Sequence, residues 1–314
     1  MSDDVFSHAP VLHDEVMTQL NIDASGLYVD GTYGRGGHAR SILKQLGEQG
    51  RLVVMDKDPE AIESARQSLG HDQRVTILHD DYAHMSVQLA KLQLSRQVDG
   101  VLLDLGVSSP QFDDASRGFS FRKNGPLDMR MNPQQGESAT EWLRRADQED
   151  IAKVLWELGE ERFSRRIARK IVATREQMPI EDTLGLSALI AECLPRHERK
   201  KHPATRSFQA IRMYVNRELE QVAAMLGAIF NVLKVGGRLL VISFHSLEDR
   251  LVKRFFRKHS SQAAVPKRIP LRDQELMLNC RLKIIGKAIK ASLAEVAVNP
   301  RARSAVLRVA ERVV

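Results

Sequence analysis

The sequence predicts an α/β protein in which a doubly wound sheet carries an inserted all-helical domain. Strand-like and helix-like segments alternate through the first hundred residues, a purely helical stretch follows, and strand patterns return near the end of the chain. The length of 314 residues is sufficient for one sizeable α/β domain and a second unit.

The alternating part of the chain supplies the first four strands. Short apolar segments at residues 27–30, 51–56 and 75–78 precede a nearly continuous apolar run at 98–105, as expected for a strand that is buried on both faces. A helix is predicted from Gly37 to Leu46, and Asp58 followed by Pro59 is typical of the start of another helix. This order of elements indicates a parallel sheet.

The pattern changes after the fourth strand. Residues 117–133 predict an ordered loop, and helical signals begin at the capping box from Ser138 to Glu141. We therefore expect a helical insertion at 117–205 inside a domain formed by residues 1–116 and 206–314. That domain should continue with one long helix at 208–233 and a fifth strand at 238–244. A capping box from Ser246 to Asp249 and strands at 281–285 and 305–309 should complete it.

Composition narrows the class of protein. The net charge of +7 and the pI near 9.5 favour a polyanionic partner, although solvated basic surfaces are also common. Cys193 and Cys280 form neither a disulfide framework nor a metal-ligand cluster, so we expect no metal and a reducing compartment. The acidic N-terminus contains Pro10, and no apolar run approaches ~20 residues. A cytoplasmic protein without a membrane segment is expected.

A glycine-rich turn follows the first strand and predicts a nucleotide-like ligand. Gly34, Gly36 and Ala39 have the G-x-G-x-x-A spacing, which lets a backbone approach a ligand at the start of a helix. Asp56 ends the second strand, where a carboxylate accepts hydrogen bonds from ribose hydroxyls. A nicotinamide dehydrogenase therefore remains an alternative at this point.

Acidic residues at the strand ends favour a different cofactor. Asp30 directly precedes the glycines, where a carboxylate would repel a pyrophosphate. The third strand runs into Asp80, Asp81 and Tyr82, and the fourth ends at Asp104. Several acids with one aromatic ring suit a cationic sulfonium ligand whose adenine can stack. We therefore favour S-adenosyl-L-methionine.

The end of the fourth strand suggests the acceptor of the methyl group. An exocyclic base amine is a poor nucleophile, and a hydrogen-bond acceptor can help it become pyramidal. Ser109 would supply an oxygen and Pro110 would fix the neighbouring carbonyl beside Asp104. Methylation of a cytosine carbon would require a cysteine nucleophile, and neither cysteine lies near this loop. A simple turn is the competing interpretation.

Long segments of the chain resemble the RsmH family, also called MraW. The resemblance covers nearly the whole sequence and is carried by residues 8–12 (HAPVL), 28–38 (YVDGTYGRGGH), 104–111 (DLGVSSPQ), 117–121 (RGFSF), 125–131 (GPLDMRM), 202–209 (HPATRSFQ), 243–250 (SFHSLEDR) and 299–303 (NPRAR). It implies a Rossmann-like class I methyltransferase sheet and methylation of N4 of a cytidine in the decoding region of bacterial small-subunit (16S) ribosomal RNA.

The resemblance also implies the residues that contact the cofactor. These are Gly36, Gly37, His38, Asp56, Tyr82, Asp104 and Gln111, to which the spacing of the glycine turn adds Gly34. Tyr82 would stack on the adenine. Related amino-methyltransferases carry a second proline, where this chain has Gln111, and an aromatic residue after it. Phe119 and Phe121 are therefore candidates for stacking on the flipped cytosine, although both also fit a hydrophobic core.

Basic residues provide candidates for RNA contact. We predict contacts from Arg117, Arg199, Lys200, Lys201, His202, Arg206 and His245. Two further basic clusters each share one predicted helix, Arg165, Arg166, Arg169 and Lys170 in the insertion and Lys253, Arg254, Arg257 and Lys258 after the fifth strand. At least one basic cluster should line the substrate cleft. His245 and Glu248 follow the fifth strand next to the proposed cleft. His245 would contact substrate or a catalytic water, or be structural.

The expected partner is small-subunit ribosomal RNA, free or in the 30S particle. The exposed insertion would also support a homodimer. A non-catalytic RNA-binding assembly factor is the alternative outside enzymes.

Overall fold

The computed structural model describes residues 10–195, 202–260 and 280–314. The chain divides into two compact units, Met1–Gly106 with Leu219–Val314, and Val107–Glu218.

The first unit is built on one seven-stranded sheet of order β3-β2-β1-β4-β5-β7-β6. The strands are β1 (Leu27–Asp30), β2 (Arg51–Asp56), β3 (Val75–His79), β4 (Val98–Asp104), β5 (Leu233–Ser243), β6 (Leu282–Lys290) and β7 (Val306–Arg312). Strands β1 to β5 pair in parallel, and β7 is antiparallel to both β5 and β6. The order reverses between β1 and β4, where a doubly wound sheet binds ligands.

Helices cover the sheet of this unit. They are α1 (His13–Leu20), α2 (Gly37–Gln45), α3 (Pro59–Leu69), α4 (Met85–Lys91), α11 (Glu218–Ala228), α12 (Ser246–His259) and α13 (Leu293–Val298). Two buried clusters fill the layers: one contains Val29, Val101 and Leu103, and the other contains Tyr28 and Leu102. Alternate residues of β4 thus enter opposite cores, as its apolar sequence predicts.

The second unit is helical. Its helices are α5 (Ser109–Asp113), α6 (Ala139–Arg145), α7 (Gln148–Gly159), α8 (Ser164–Arg175), α9 (Thr183–Cys193) and α10 (Thr205–Val215). They enclose a separate core that includes Trp142, Leu155, Ile171 and Phe208. The Ser138 hydroxyl accepts a hydrogen bond from the Glu141 amide, as the predicted capping box requires.

The unit boundaries lie outside the expected insertion. The second unit begins at Val107 rather than Arg117 and ends at Glu218 rather than Thr205. Val107 and Phe112 pack on its core, and α10 packs against α7 where the Arg206 carbonyl approaches Gly159. Both flanking segments therefore belong to the helical unit by packing.

The predicted long helix at 208–233 is wrong, because it is two helices, α10 and α11. Asn216 ends α10: its side-chain amide donates to the Met129 carbonyl at 2.7 Å, and its oxygen accepts the Met131 amide at 2.7 Å. Arg217 then adopts a left-handed backbone with φ of 53°. Strand β5 begins at Leu233 rather than at residue 238. The two glycines, Gly236 and Gly237, lie inside the strand and do not separate it from the preceding helix.

No described helix is both long enough and apolar enough to cross a membrane. Cys193 is buried and Cys280 is half-buried, and both are free thiols.

Candidate functional site

The glycine turn lies between β1 and α2, at the carboxyl end of the sheet. Gly34 and Gly36 have φ of +56° and +73°, a conformation that glycine adopts without strain. A side chain at Gly36 would also clash with the Tyr33 ring, because its Cβ would lie 2.5 Å from that ring. Gly36 precedes the first residue of α2. The turn is therefore a fixed backbone cradle at a helix N-terminus.

Asp56 holds this turn in place. One carboxylate oxygen accepts the Gly34 amide at 2.8 Å, and the other accepts the Asp58 amide at 2.9 Å. Burial raises the pKa of Asp56 to about 6 despite these two hydrogen bonds. The prediction assigned Asp56 to a ribose. The structure also gives Asp56 a second role, since it links the end of β2 to the glycine turn.

Two further carboxyl groups lie at the ends of β1 and β4, on the same edge of the sheet as Asp56. Asp30 is buried, and burial raises its pKa to about 7, with the neighbouring Asp56 adding to the shift. Burial raises the pKa of Asp104 to about 8, and the charges of Asp30 and Glu248 add to it. Asp104 Oδ1 is buried and has no hydrogen-bond partner among the described residues. Three carboxyl groups thus share one poorly solvated edge of the sheet.

His38 lies in the first turn of α2 and is buried. Its Nε2 lies 3.1 Å from the Val11 carbonyl, and its Nδ1 lies 3.9 Å from Asp104 Oδ2. Burial lowers the pKa of His38 to about 4, so the ring is neutral near pH 7. The structure therefore brings together the predicted residues Gly34, Gly36, Gly37, His38, Asp56 and Asp104.

Tyr82 follows β3 in a short 3₁₀ turn and packs in part on the core of the first unit. A Cβ placed on Gly31 would lie 3.3 Å from Tyr82 Cβ, so Tyr82 lies against the end of β1.

Asp80 and Asp81, the two acids before Tyr82, do not belong to the carboxyl cluster formed by Asp30, Asp56 and Asp104. Asp81 accepts the Ala83 amide at 2.9 Å and lies 3.8 Å from the Lys57 ammonium, while Asp80 accepts a hydrogen bond from His84 at 2.8 Å. Both are used to build the turn after β3. The predicted ring of acids is therefore reduced to Asp30, Asp56 and Asp104.

His245 caps α12 at the carboxyl end of β5. Its Nδ1 accepts the Glu248 amide at 3.4 Å, and its Nε2 lies 2.9 Å from Glu248 Oε1. Glu248 Oε2 accepts the Phe244 amide at 2.9 Å. The cap is therefore one residue earlier than the predicted capping box, and Asp249 pairs with Arg308 instead, at 2.6 Å. The cap gives His245 a structural role. Its buried Nε2 has no hydrogen-bond partner among the described residues, and its contact with RNA stays a prediction.

Ser109, Pro110 and Gln111 belong to the second unit and form the first residues of α5. The Ser109 hydroxyl is half-buried and makes no hydrogen bond within the described part of the chain. Gln111 is buried, and its Oε1 accepts the Ser108 amide at 2.9 Å. The segment predicted as a strand-end turn is therefore a capped helix start, and the signal that was missed is the S-x-x-Q spacing from Ser108 to Gln111.

Arg117 serves its own loop rather than RNA. Its side chain is buried, with the whole residue only 6% exposed, and Nη2 donates to the Met131 carbonyl at 2.8 Å. A buried guanidinium bound to backbone carbonyls is not available to a phosphate. Phe119 is also buried, in the core of the helical unit. We therefore correct both predictions, of Arg117 as an RNA contact and of Phe119 as a stacking residue.

The segment around His202 is only partly described, since Arg199, Lys200 and Lys201 lie outside the described residues. His202 stacks on Phe121 with ring centroids 4.4 Å apart, and its Nδ1 accepts the Ala204 amide at 3.3 Å. Phe121 also meets Phe208 edge-on at 5.6 Å. Stacking and capping account for His202 and Phe121. Arg206 is exposed on α10.

Two helices present basic faces, one in each unit. On α8, Arg165, Arg166 and Arg169 are exposed and form no ion pair within the described ranges, whereas Lys170 pairs with Glu192 at 3.1 Å. On α12, Arg254, Arg257 and Lys258 are exposed and form no ion pair with any other described residue. α12 begins at the carboxyl end of β5, on the edge of the sheet where the carboxyl groups lie.

Sequence reasoning missed Thr32, and it placed Glu248 next to the cleft without giving it a role. Thr32 Oγ1 accepts the Asp104 amide at 2.7 Å and so ties the glycine turn to the end of β4. Glu248 is 1% exposed and close enough to Asp104 to raise its pKa. Its position just after a strand end was the available signal, because such ends converge in a parallel sheet.

This geometry suits a ligand that carries positive charge and hydrogen-bond donors. A buried carboxyl oxygen without a partner costs free energy that a donor from a ligand would recover. A cation at the same place would stabilise the ionised forms of Asp30 and Asp104, whose mutual repulsion and burial now favour their protonated forms.

Comparison with known proteins agrees with this chemistry. Residues 5–313 match the MraW methylase family. The chain is 54% identical over 306 residues to ribosomal RNA small subunit methyltransferase H of Idiomarina loihiensis, covering 98% of this chain and 97% of that protein. It is 53% identical over 307 residues to the protein of the same name from Shewanella frigidimarina, covering 98% of each.

A solved rRNA methylase from Streptococcus thermophilus is 10% identical, with a TM-score of 0.40, 98% of this chain and 100% of that chain being covered. That similarity is too low to support an argument. The match over almost the full length shows that this chain belongs to the MraW methylase family.

Proposed function

We propose that this protein transfers the methyl group of S-adenosyl-L-methionine to N4 of a cytidine in the decoding region of bacterial 16S ribosomal RNA. One observation carries the proposal: in a member of a methylase family, three carboxyl groups with raised pKa values and a glycine cradle lie at the carboxyl ends of the neighbouring strands β1, β2 and β4. This edge of a doubly wound sheet is its ligand-binding edge.

The residues of the first unit fit the cofactor. When bound, the cofactor supplies an electrophilic methyl group on a cationic sulfur. The unpartnered Asp104 Oδ1 offers an acceptor for its amino group, and Asp56, at the end of β2, offers oxygens to a ribose. Tyr82 offers a ring for adenine. A dinucleotide fits less well, because its pyrophosphate would face Asp30 and Asp104.

We propose that Ser109 and Pro110 act on the acceptor base. The Ser109 hydroxyl has no other hydrogen bond among the described residues, so it is available to accept one from a base amine. Pro110 locks its own φ and restricts the backbone of Ser109 before it. Gln111 holds the start of α5 through Ser108, and we propose that it acts on the cofactor by keeping this segment in place.

RNA binding needs basic side chains that are not already used. We propose that the exposed face of α12 contributes, with Arg206 and the segment containing Arg199, Lys200 and Lys201. Arg254, Arg257 and Lys258 are exposed on the second half of α12, which runs from the ligand-binding edge toward Phe230, just before the start of β5. Their charges form no ion pair within the described ranges. Replacing these three residues by glutamate should weaken RNA binding and flatten its salt dependence. The same reversal of Arg165, Arg166 and Arg169 on α8 is the matched control.

We propose ribosomal RNA as the partner, free or assembled in the 30S particle, and a cytoplasmic location, since ribosomal RNA is found there. A homodimer belongs to the same proposal, and light scattering at assay concentrations tests it: the mass of one chain would remove it.

The proposed function is tested with ribosomal RNA from cells that lack this protein. RNA or 30S particles are incubated with the protein and S-adenosyl-L-methionine, and the modified nucleotide is mapped by mass spectrometry. We expect one added methyl group on N4 of a decoding-region cytidine, and none with Asp104→Asn. Methylation of another atom would contradict the site specificity. RNA binding without a mass shift on either substrate would instead favour an assembly factor.

A further inference from the structure

A short segment near the start of the chain packs against the glycine turn. We call Pro10, Val11 and Leu12 the strap. A Cβ placed on Gly37 would lie 3.0 to 3.2 Å from the Pro10 ring, so the strap and the first turn of α2 are in close contact. Leu12 is fully buried. Its backbone is left-handed, with φ of 54°, which is strained for a residue other than glycine.

The strap is anchored by a residue from the far end of the sequence. The Leu12 amide donates to Glu295 Oε1 at 2.7 Å, across 283 residues of sequence. Glu295 is half-buried on α13, and its own amide donates to the Ser292 hydroxyl at 3.1 Å, which caps that helix. A charge-assisted bond of this length holds the strained residue of the strap in place.

The strap in turn determines which nitrogen of His38 carries the proton. The Val11 carbonyl lies 3.1 Å from Nε2 and can only accept, so Nε2 must donate. In the neutral ring, Nδ1 is then an acceptor. Nδ1 lies 3.9 Å from Asp104 Oδ2 and therefore adds a lone pair to the side of the pocket that Asp104 forms.

We propose that Glu295 is a positioning residue for the cofactor site, acting through the strap and His38 to keep the Nδ1 acceptor directed at the Asp104 side of the pocket. This inference rests on the proposed function for the identity of the cofactor. Glu295 itself touches neither the glycine turn nor the carboxyl cluster in any contact that the described residues show. Its effect must therefore pass through the Leu12 amide and the Val11 carbonyl.

Two variants of Glu295 separate anchoring from a general loss of fold. Glu295→Ala removes the acceptor of the Leu12 amide, whereas Glu295→Gln keeps an oxygen at that place. Glu63→Ala is the matched control, because Glu63 is an exposed carboxylate on α3 with a loose ion pair to Arg66. Binding of S-adenosylhomocysteine is measured by calorimetry. The protonation of the His38 nitrogens is read by ¹⁵N NMR of the full chain, with His38→Gln identifying the signals.

We expect Glu295→Ala to weaken S-adenosylhomocysteine binding about tenfold, the scale of one lost hydrogen bond to a charged group, and Glu295→Gln to stay within about threefold. The KM for S-adenosyl-L-methionine should rise in Glu295→Ala while kcat at saturation is unchanged. In wild type, His38 should be protonated on Nε2 alone, and Glu295→Ala should show both tautomers.

The proposal is overturned if Glu295→Ala binds within twofold of wild type, or if Glu295→Gln is as weak as Glu295→Ala. An unchanged His38 tautomer alongside a lowered melting temperature would also overturn it, because the role would then be structural only. Absence of any S-adenosylhomocysteine binding by wild type would count against the proposed function instead, and the His38 spectra would still test the anchoring by Glu295.

Discussion

Asp30 and Asp104, at the sheet edge of the first unit, differ from Arg117 and Gln111 of the second unit in how far their polar atoms are satisfied. At the sheet edge of the first unit, Asp104 keeps a buried oxygen without a described partner and Asp30 keeps a raised pKa. In the second unit, Arg117 and Gln111 are buried with their side chains bonded to nearby backbone groups. Polar groups of the first kind are poorly satisfied until a ligand arrives, whereas those of the second kind already stabilise the fold.

The comparison gives a criterion for assigning function to residues that sequence patterns single out. Arg117 and Asp104 both lie in long motif strings, and sequence alone gives them similar weight. In the structure, the two residues differ in whether their polar atoms already have hydrogen-bond partners within the protein. The predictions below test this separation.

The largest effect is expected for Asp104→Asn. The variant removes a charge that the cationic cofactor needs, and we expect S-adenosyl-L-methionine affinity to fall at least about a hundredfold, or roughly 3 kcal/mol. Calorimetry measures it, with Asp81→Asn as a control, because Asp81 belongs to the turn after β3. A similar loss of affinity in both variants would show that hydrogen-bond partners in the structure do not distinguish a cofactor-binding acid from an acid of the turn.

Replacing Arg117 should destabilise the protein instead. Arg117→Ala removes the donor to the buried Met131 carbonyl and to the part-buried Arg130 carbonyl. We expect the free energy of unfolding to fall by about 2 kcal/mol in denaturant titrations. The salt dependence of RNA binding should be unchanged. Arg206→Ala, on an exposed residue, should do the reverse, and a reduced salt slope for Arg117→Ala would restore its assignment to RNA.

The pH dependence of stability should reveal the carboxyl cluster. A pKa of about 8 for Asp104 in the folded state exceeds the value near 4 of an unfolded chain, so the folded state binds the proton more tightly. Wild type therefore loses stability as pH rises from about 4 to about 8, and Asp104→Asn does not lose this contribution. The variant should gain at least about 1 kcal/mol relative to wild type between pH 5 and 8. A constant difference would contradict the raised pKa.

A smaller effect is expected for Gln111→Ala. The variant removes the acceptor of the Ser108 amide and should lower the free energy of unfolding by about 1 kcal/mol, the usual scale of a helix cap. Gln111→Glu keeps an acceptor and should retain most of the stability. Equal stability of all three proteins would show that the cap contributes nothing.

Much of the fold followed from the sequence because local signals were strong. The apolar run of β4 and the Asp58-Pro59 start of α3 lie where they were predicted. The interrupted helix at Asn216 could not be predicted, because its cause is a pair of contacts with Met129 and Met131, far away in sequence. Tertiary contacts of this kind override a continuous helical pattern.

The candidate site was predictable only in part, for a related reason. Parallel strands bring their carboxyl ends together, so Asp30, Asp56 and Asp104 could be grouped from their positions alone. Whether a side chain already has hydrogen-bond partners in the folded protein depends on short-range geometry, which the residue type does not show. Asp80 and Asp81 look like site residues in sequence, and their hydrogen bonds assign them to a turn.

Proton release on cofactor binding tests the central claim most directly. If S-adenosyl-L-methionine places its positive charge beside Asp30, Asp56 and Asp104, their pKa values of about 7, 6 and 8 must fall, and protons must leave. Calorimetry at pH 7 in two buffers of different ionisation enthalpy counts these protons. We expect wild type to release protons and to bind more tightly as pH rises from 6 to 8, with less release in Asp104→Asn. Tight binding without proton release, at an affinity independent of pH, would contradict the account.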